Sequence, residues 1–500
     1  MSSSQIQAED NMDADFSNFK TYTSTHTVQL FDSGGPLLGK IMEMIDNAKE
    51  SIDLEFWAVE FCGDAGQLIL QKLYKKIEES KKSGHPIKVN LLVDHYLISK
   101  GPPFSIKWFA KEFEKNGIEL RIFNPVADKH LGGSYLTASQ RDHRKQIVID
   151  DKEFIIGGTN LYDDYFGVAQ NINRIDKAIW VKGDAAKSAG DSFKSAWDSN
   201  LTVAPSKLNA EYAKKTPSKN YTSLADLNRQ YSAKEEEASG PGKGYEYYPG
   251  CMIPKDKLPD EINIIPKEVE KHNKRQPPVT VRQLSIGLDT PGTKMKNSTF
   301  VPALMQKMKQ AKKNVLIENE YFIPTGATKD ALKTLKKNKV KVKIITNSQE
   351  SDDGDSEGVL VLSHEAAYNW DDASDNNFQV YGYNGKTPKG EQIDWAPRGS
   401  GTKWSVHSKA MVIDDDTVWI GSNNLDPRSD YHNIEGGVYI PSSPELALQL
   451  KTSIESNNAN LIRMATDKKY QKCVEQFREQ NGPLIKTLTD MQYTVFKYFY

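Results

Sequence analysis

Nowhere in these 500 residues do eighteen uncharged apolar side chains run together, so no membrane-crossing helix is expected and any contact with lipid should be peripheral. The first twenty residues, Met1 to Lys20, are polar and acidic and lack the basic-then-apolar order of a secretory signal. A cytoplasmic or peripheral membrane location is expected, with non-classical secretion left open. No prenylation-type cysteine box closes the chain. Cysteine is scarce: Cys62, Cys251 and Cys473 lie far apart, odd in number and outside any CxxC pattern. That spacing argues against a disulfide framework or a cysteine-rich zinc site and leaves buried free thiols as the expectation. Neither an HExxH helix nor an EF-hand loop occurs, so no metal or other cofactor is expected. An excess of one charge is also missing. Lys plus Arg number 65 against 67 Asp plus Glu, so any polyanion must be met locally rather than by a global basic field.

What is present has the balance of an ordinary folded protein, 38% apolar and 26% charged. Five hundred residues exceed what one core usually organises, which predicts two domains or two halves of one pseudo-symmetric domain. Leu37 to Ala48 has helical apolar spacing and Ser51 to Val59 reads as a strand. Ile87 to Val93 and Ile118 to Phe123 read as further strands around a helix at Ile106 to Lys115. The same grammar returns with helices at Val301 to Ala311 and Asp330 to Lys336 and strands at Val315 to Ile323 and Val340 to Ile345. The fold class implied is α/β: two similar halves, each a mostly parallel mixed sheet flanked by helices, packed pseudo-symmetrically around one active site. Composition places a flexible N-terminus at 1–25, the first half at 26–203, an exposed linker or insertion at 204–250, the second half at 251–465 and a helical tail at 466–500. Asp352 to Glu357 and Tyr381 to Gly401 look like long loops, and the aromatic end MQYTVFKYFY has the makings of either terminal packing or lipid contact.

Two segments carry the chemistry. His143, Lys145 and Asp150 stand in HRKQIVID, and His407, Lys409 and Asp414 stand in HSKAMVID, so both fit HxKxxxxD. A single copy would mean little, but each copy is followed by a glycine turn and an asparagine. These are Gly157-Gly158-Thr159-Asn160 and Gly421-Ser422-Asn423-Asn424, with 17 residues from histidine to asparagine in both. His-x-Lys on a strand puts imidazole and ammonium on one face, because strand side chains alternate. The hairpin-like return brings the small residues Gly158, Thr159 and Ser422 beside them as candidate substrate contacts, and Asn160 and Asn424 add amide donors. Only Ser422 offers a hydroxyl at its position. Beyond each turn an acid precedes an apolar strand, Asp176 in NRIDKAIWV and Glu435 in HNIEGGVYI. Each is expected to orient the histidine of its own half by accepting its Nδ1 proton. Face-to-face packing would then converge two histidines, two lysines and two asparagines on one phosphate without a metal. His130, His364 and His432 are solitary and are left outside the catalytic set.

The duplicated motif, with GGTN and GSNNLDPRS, resembles the signature of the phospholipase D superfamily. LEFWAVEF at Leu54 to Phe61, IENEYFIPT at Ile317 to Thr325 and Phe193 with Trp197 extend the likeness over most of the chain, in an order similar to cardiolipin synthases and bacterial phospholipases. Membrane-embedded cardiolipin synthases begin with hydrophobic helices that this sequence lacks. The resemblance implies cleavage of glycerophospholipids to phosphatidic acid and a headgroup alcohol through a phosphohistidine, with phosphatidyl transfer to alcohols as an extension. It further implies His143 as nucleophile, His407 as general acid, Lys145, Lys409, Asn160 and Asn424 as phosphate ligands, and Asp150 and Asp414 as structural. A phospholipid substrate and a monomer are the expected partner and state, since both half-sites lie in one chain. A nuclease acting on nucleic acid, a cardiolipin synthase-like transferase and a catalytically silent scaffold or membrane-recruiting module are the alternatives.

Overall fold

The computed structural model describes residues 19–61, 63–95, 103–125, 140–169, 172–207, 276–289, 291, 300–351, 357–388, 403–472, 475 and 479. The three cysteines, His130, the linker beyond residue 207 and the aromatic end lie outside the described residues.

In the first half the strands are β1 (Phe19–Tyr22), β2 (His26–Phe31), β3 (Ser51–Phe56), β4 (Lys88–Asp94), β5 (Ile118–Phe123), β6 (Gln146–Ile149), β7 (Glu153–Gly157), β8 (Ile172–Ile175), β9 (Ala178–Lys182) and β10 (Thr202–Val203). Then follow β11 (Val279–Val281), β12 (Leu284–Leu288), β13 (Asn314–Asn319), β14 (Lys341–Asn347), β15 (Phe378–Tyr383), β16 (Lys403–Val406), β17 (Lys409–Ile413), β18 (Thr417–Gly421), β19 (Gly436–Ile440) and β20 (Leu461–Arg463). They build two nine-stranded sheets with the same order: β10-β5-β4-β3-β6-β7-β9-β2-β11, and β20-β15-β14-β13-β17-β18-β19-β12-β1. The long-period repeat is therefore a repeat of topology.

Three corrections to the expected layout follow. The sheets are mixed, as anticipated, but only β3, β4 and β5, and likewise β13, β14 and β15, pair in parallel. The remaining ladders of these two sheets are antiparallel, and between β6 and β7 and between β17 and β18 a short turn, at Asp150–Asp151 and Asp414–Asp415, returns the chain directly, leaving no room for a helical crossover. Phe19–Tyr22, expected to be loose, is the edge strand of the second sheet, paired with β12. Val279–Val281, from the second half in sequence, closes the edge of the first sheet against β2. Each half thus lends one edge strand to the other.

Hydrophobic pattern explains the layers. In the helix Gly34–Asn47, Leu37, Leu38, Ile41, Met44 and Ile45 fall on the buried face, and with Ile69, Leu73 and Ile77 of Asp64–Lys82 they cover the outer side of the first sheet. Phe300–Met308 and Gly326–Lys337 do the same for the second sheet through Leu304, Met305, Leu332 and Leu335. A third core joins the inner faces: Val148, Phe154 and Ile156 pack in one cluster with Val412, Ile420 and Val438. The two halves therefore share a core. Truncating one of its fully buried aliphatic residues to alanine should cost about 2–5 kcal/mol.

The motif aspartates fix the joints. Asp150 accepts hydrogen bonds from the backbone N–H of Lys49, Glu50 and Ser51 at 2.7–2.8 Å, where the helix Gly34–Asn47 passes into β3. Asp414 accepts from Lys312, Lys313 and Asn314 at the entry to β13. Both have left-handed backbone, φ 55° and 53°, which aspartate tolerates better than most residues. Among the described residues no helix is long and apolar enough to cross a membrane.

Candidate active site

The edge where the two sheets meet is tied by crossed strands. β16 runs parallel to β8 of the other half, and the backbone N–H of His407 donates to Ile175 O at 2.8 Å. On the other side Asp142 bridges Ile434, and the N–H of His143 donates to Ile434 O at 2.9 Å. Each histidine is thereby docked on the residue that precedes the acid of the opposite half.

The pairing expected within each half is accordingly corrected. His143 Nδ1 lies 3.1 Å from both Glu435 oxygens, and His407 Nδ1 lies 2.9 Å from Asp176 Oδ2. The acids do hold the Nδ1 atoms, but across the two halves. This leaves each Nε2 as the atom turned to the shared space.

Each lysine sits beside the histidine of its own motif, whereas both polar ends of Asn160 are engaged by protein groups. Lys145 Nζ donates to His143 O at 2.6 Å, and Lys409 Nζ lies 2.5 Å from His407 O and 2.7 Å from Glu320 Oε2. Asn160 accepts from Ala58 N–H and donates to Tyr165 Oη at 2.9 Å. Asn424 Oδ1 is buried with no hydrogen-bond partner among the described residues. Tyr165 Oη in turn sits 3.1 Å from His407 Nε2. Of the small residues, Thr159 is buried near the turn, whereas Ser422 donates its hydroxyl to Glu435 and so positions the acid. Gly158 has an equally definite reason: a Cβ there would stand 2.3 Å from Asp176 Oδ1. His364 is buried elsewhere, its carbonyl accepting from Tyr470, and His432 is buried beside Tyr431.

Burial pushes the His143 imidazole down to about 4 against the opposing pull of Glu435. His407 is held well below its ordinary value by burial and then by Lys409 and Arg174. Glu435, although burial opposes it, is held down at about 2 by His143, Lys145 and the Ser422 hydroxyl. Asp176 is pushed up to about 7 by burial, which Lys409 and Lys177 only partly offset. Burial and the neighbouring Lys409 bring Lys145 down to about 7. The free site thus presents two neutral imidazoles, one firmly ionised acid and one acid poised near neutrality.

Sequence reasoning missed four neighbours. Trp57 packs edge-on against His143 with centroids 5.5 Å apart, Tyr165 does so against His407 at 4.8 Å, and Arg174 is paired with Asp164 at 2.7 Å. Glu320 is the fourth. Alignment of the two repeat copies just upstream of the motif, LEFWAVEF on IENEYFIPT, would have exposed Trp57 and Glu320 as unlike residues at one position. Among the described residues no group of three or more His, Cys, Asp or Glu is disposed to hold a metal ion.

Two histidine–acid pairs with flanking lysines are thus set between two like-ordered sheets, an arrangement with the groups that phosphoryl transfer requires. Residues 304–457 match the family model described as cardiolipin synthase, PLD-like domain. The chain is 25% identical over 451 residues to an uncharacterized protein of Helicobacter pylori, spanning 88% of this chain and 81% of that one. To a cardiolipin synthase of Clostridium perfringens it is 24% identical over 421 residues, 84% of this chain and 68% of the relative. Among solved structures, phosphatidylserine synthase of Haemophilus influenzae superposes with a TM-score of 0.59 at 15% identity, covering 99% of this chain and 100% of that one. The family-model match, the cardiolipin synthase relatives and the shared fold make the chain similar to the phospholipase D superfamily.

Proposed function

We propose that the protein transfers phosphatidyl groups from glycerophospholipids, in the manner of a cardiolipin synthase when an alcohol is the acceptor and of a phospholipase D when water is. The observation that carries this reading is the crossed pairing of His143 with Glu435 and His407 with Asp176, which makes one site from two half-motifs. The lipid substrate is supported by the similarity to cardiolipin synthases across 84% of the chain.

Neutral His143, its Nδ1 proton held by Glu435, attacks phosphorus through Nε2. A P–N bond forms as the P–O bond to the headgroup breaks, and the leaving oxygen takes a proton from His407. A bound phosphodiester anion favours the protonated His407 needed for this step, offsetting the burial that keeps it neutral in the free site. His407, now neutral, takes the proton of water or an alcohol, whose oxygen displaces His143 from phosphorus. Lys145, Lys409 and Asn424 face the charge that builds on the nonbridging oxygens.

The test is incubation of the purified protein with phosphatidylglycerol vesicles and, separately, single-stranded DNA, in EDTA, beside His143→Ala and His407→Ala. Cardiolipin and glycerol, or phosphatidic acid and glycerol, lost in both variants would support the reading and identify the acceptor. DNA cleavage with untouched lipid would overturn it in favour of a nuclease, and no reaction on either substrate in any phospholipid headgroup series would favour a silent scaffold.

A further inference from the structure

The two half-sites agree at histidine, lysine and asparagine but differ one strand earlier. Val59 bridges Leu161 as Phe322 bridges Leu425, so the residues two positions before each bridge, Trp57 and Glu320, are structural equivalents. One half-site therefore has an indole against its histidine and the other has a carboxylate. Glu320 Oε2 lies 2.7 Å from Lys409 Nζ and 3.2 Å from His407 Nε2, and its other oxygen is 3.8 Å from an Arg174 guanidinium nitrogen. An oxygen of a bound phosphate would meet the same ammonium and the same Nε2.

This carboxylate is aimed by rigid backbone. The Glu320 N–H donates to Ser408 O at 3.2 Å, and its carbonyl accepts from Thr346 Oγ1 at 2.9 Å and Asn347 Nδ2 at 3.3 Å. The side chain is buried and the His407 imidazole beside it is 6% exposed, while the His143 imidazole, facing Trp57, is 11% exposed. Around the shared space Lys409 already faces Glu320 and Arg174 faces Asp164 and Glu320, while Glu435 and Asp176 hold the two histidines. One added negative charge can be accommodated by small shifts among these pairs. A second would lie against a fixed carboxylate at low local dielectric, where like charges repel strongly.

We propose that Glu320 is a specificity-determining residue that admits singly charged phosphodiesters and disfavours doubly charged phosphomonoesters, so that a phosphomonoester product leaves and free phosphate competes poorly. The inference rests on the reading above only in taking the His–Lys cluster as the phosphate site, and it is indifferent to which lipid or acceptor is used. Lys145, Lys409, Arg174, Asp164, Asp176, Glu435, Tyr165 and both histidines also face the ligand, and because any change in their charge with pH weighs more on a dianion than on a monoanion, the comparison of wild type with Glu320→Gln at a single pH isolates the Glu320 contribution.

Binding of dimethyl phosphate, a monoanion throughout, and methyl phosphate, a dianion at pH 8 and a monoanion at pH 5, would be measured by calorimetry on the full-length protein and on Glu320→Gln. At pH 8 the wild type should bind dimethyl phosphate about tenfold or more tightly than methyl phosphate. That preference should shrink at pH 5 and collapse in Glu320→Gln at pH 8. The same preference in wild type and variant would overturn the proposal, as would failure of either protein to bind either ligand. Should Glu320→Gln not fold, as judged by its melting transition, Glu320→Ala takes its place in the same comparison at pH 8, and equal affinity of the wild type for the two ligands at pH 8 overturns the proposal by itself. Vesicle turnover is read separately, so loss of lipid activity in the wild type would sink the lipid reading without touching this one.

Discussion

The Nδ1 atom of His143 and the carboxylate of Glu435, 292 residues apart in sequence, stand 3.1 Å from one another, and the acid has three further donors, Ser422, Ser429 and Asn433. The carboxylate is thus fixed before any substrate arrives. Glu435→Gln keeps the shape but presents an amide to Nδ1, which no longer selects the tautomer with a free Nε2. A fall in kcat of about 10²–10⁴-fold is expected, with little change in the circular dichroism spectrum. A variant that keeps wild-type kcat would show that His143 needs no acid.

Gly158 and Ser422 occupy matching turns for opposite reasons. A methyl group on Gly158 meets Asp176 Oδ1 at 2.3 Å and must push the acid away from His407, whereas Ser422→Ala only removes one donor from Glu435. Gly158→Ala should therefore lower kcat by about tenfold or more, the equivalent of about 1.4 kcal/mol. Ser422→Ala should cost about 1.5–3 kcal/mol of stability, as expected for a hydrogen bond to a charged group, and should lower kcat less than Gly158→Ala. Kinetics and urea unfolding of the pair check both statements, and the reverse order of effects on kcat would refute them.

Lys145 gives the site a pH dependence. Burial and Lys409 bring its ammonium down to about 7, so the free protein loses this positive charge as pH rises through neutrality. The alkaline limb should be seen in kcat/KM, which reports the free protein, and should move upward in kcat because a bound phosphate favours the charged lysine. Lys145→Arg should carry the kcat/KM limb upward by more than one pH unit, since guanidinium keeps its proton. An unmoved limb would assign it to Asp176, whose carboxyl is pushed up to about 7 by burial.

Stability responds to the two site acids with opposite sign. The folded value of Asp176 is above its unfolded one, so its contribution is full below the unfolded value near 3.8 and is lost as pH rises through about 7. Glu435, held down at about 2, contributes above its unfolded value near 4.5 and loses that contribution as pH falls towards 2. The urea midpoint of wild type should therefore fall relative to that of Asp176→Asn, whose amide does not titrate, as pH is raised from 5 to 8, whereas the midpoints of wild type and Glu435→Gln should converge as pH is lowered from 5 to 2; differences that do not change with pH would refute both assignments.

Asp150 and Asp414 act on stability rather than chemistry. Each accepts from three consecutive backbone N–H groups at a helix-to-strand joint. Alanine at either should destabilise by about 1–3 kcal/mol, read from the urea midpoint. Asparagine, which keeps one acceptor oxygen and tolerates the left-handed backbone at φ 55° and 53°, should cost less.

The sequence by itself determined the two copies of the motif, their equal spacing and the elements that carry them, because strand and helix periodicity are local properties of side-chain order. Ile118–Phe123 was legible to the residue, and the helix read at Val301 to Ala311 lies at Phe300–Met308. It also supplied His143, Lys145, Asn160, His407, Lys409 and Asn424 as one constellation. Tertiary structure alone decided which acid serves which histidine. That choice follows from β16 pairing with β8 and Asp142 bridging Ile434, contacts between distant segments that no local pattern encodes. The same docking placed Glu320 against Lys409 and His407 and gave Trp57 to His143, so two copies of one motif became two unlike halves of one site.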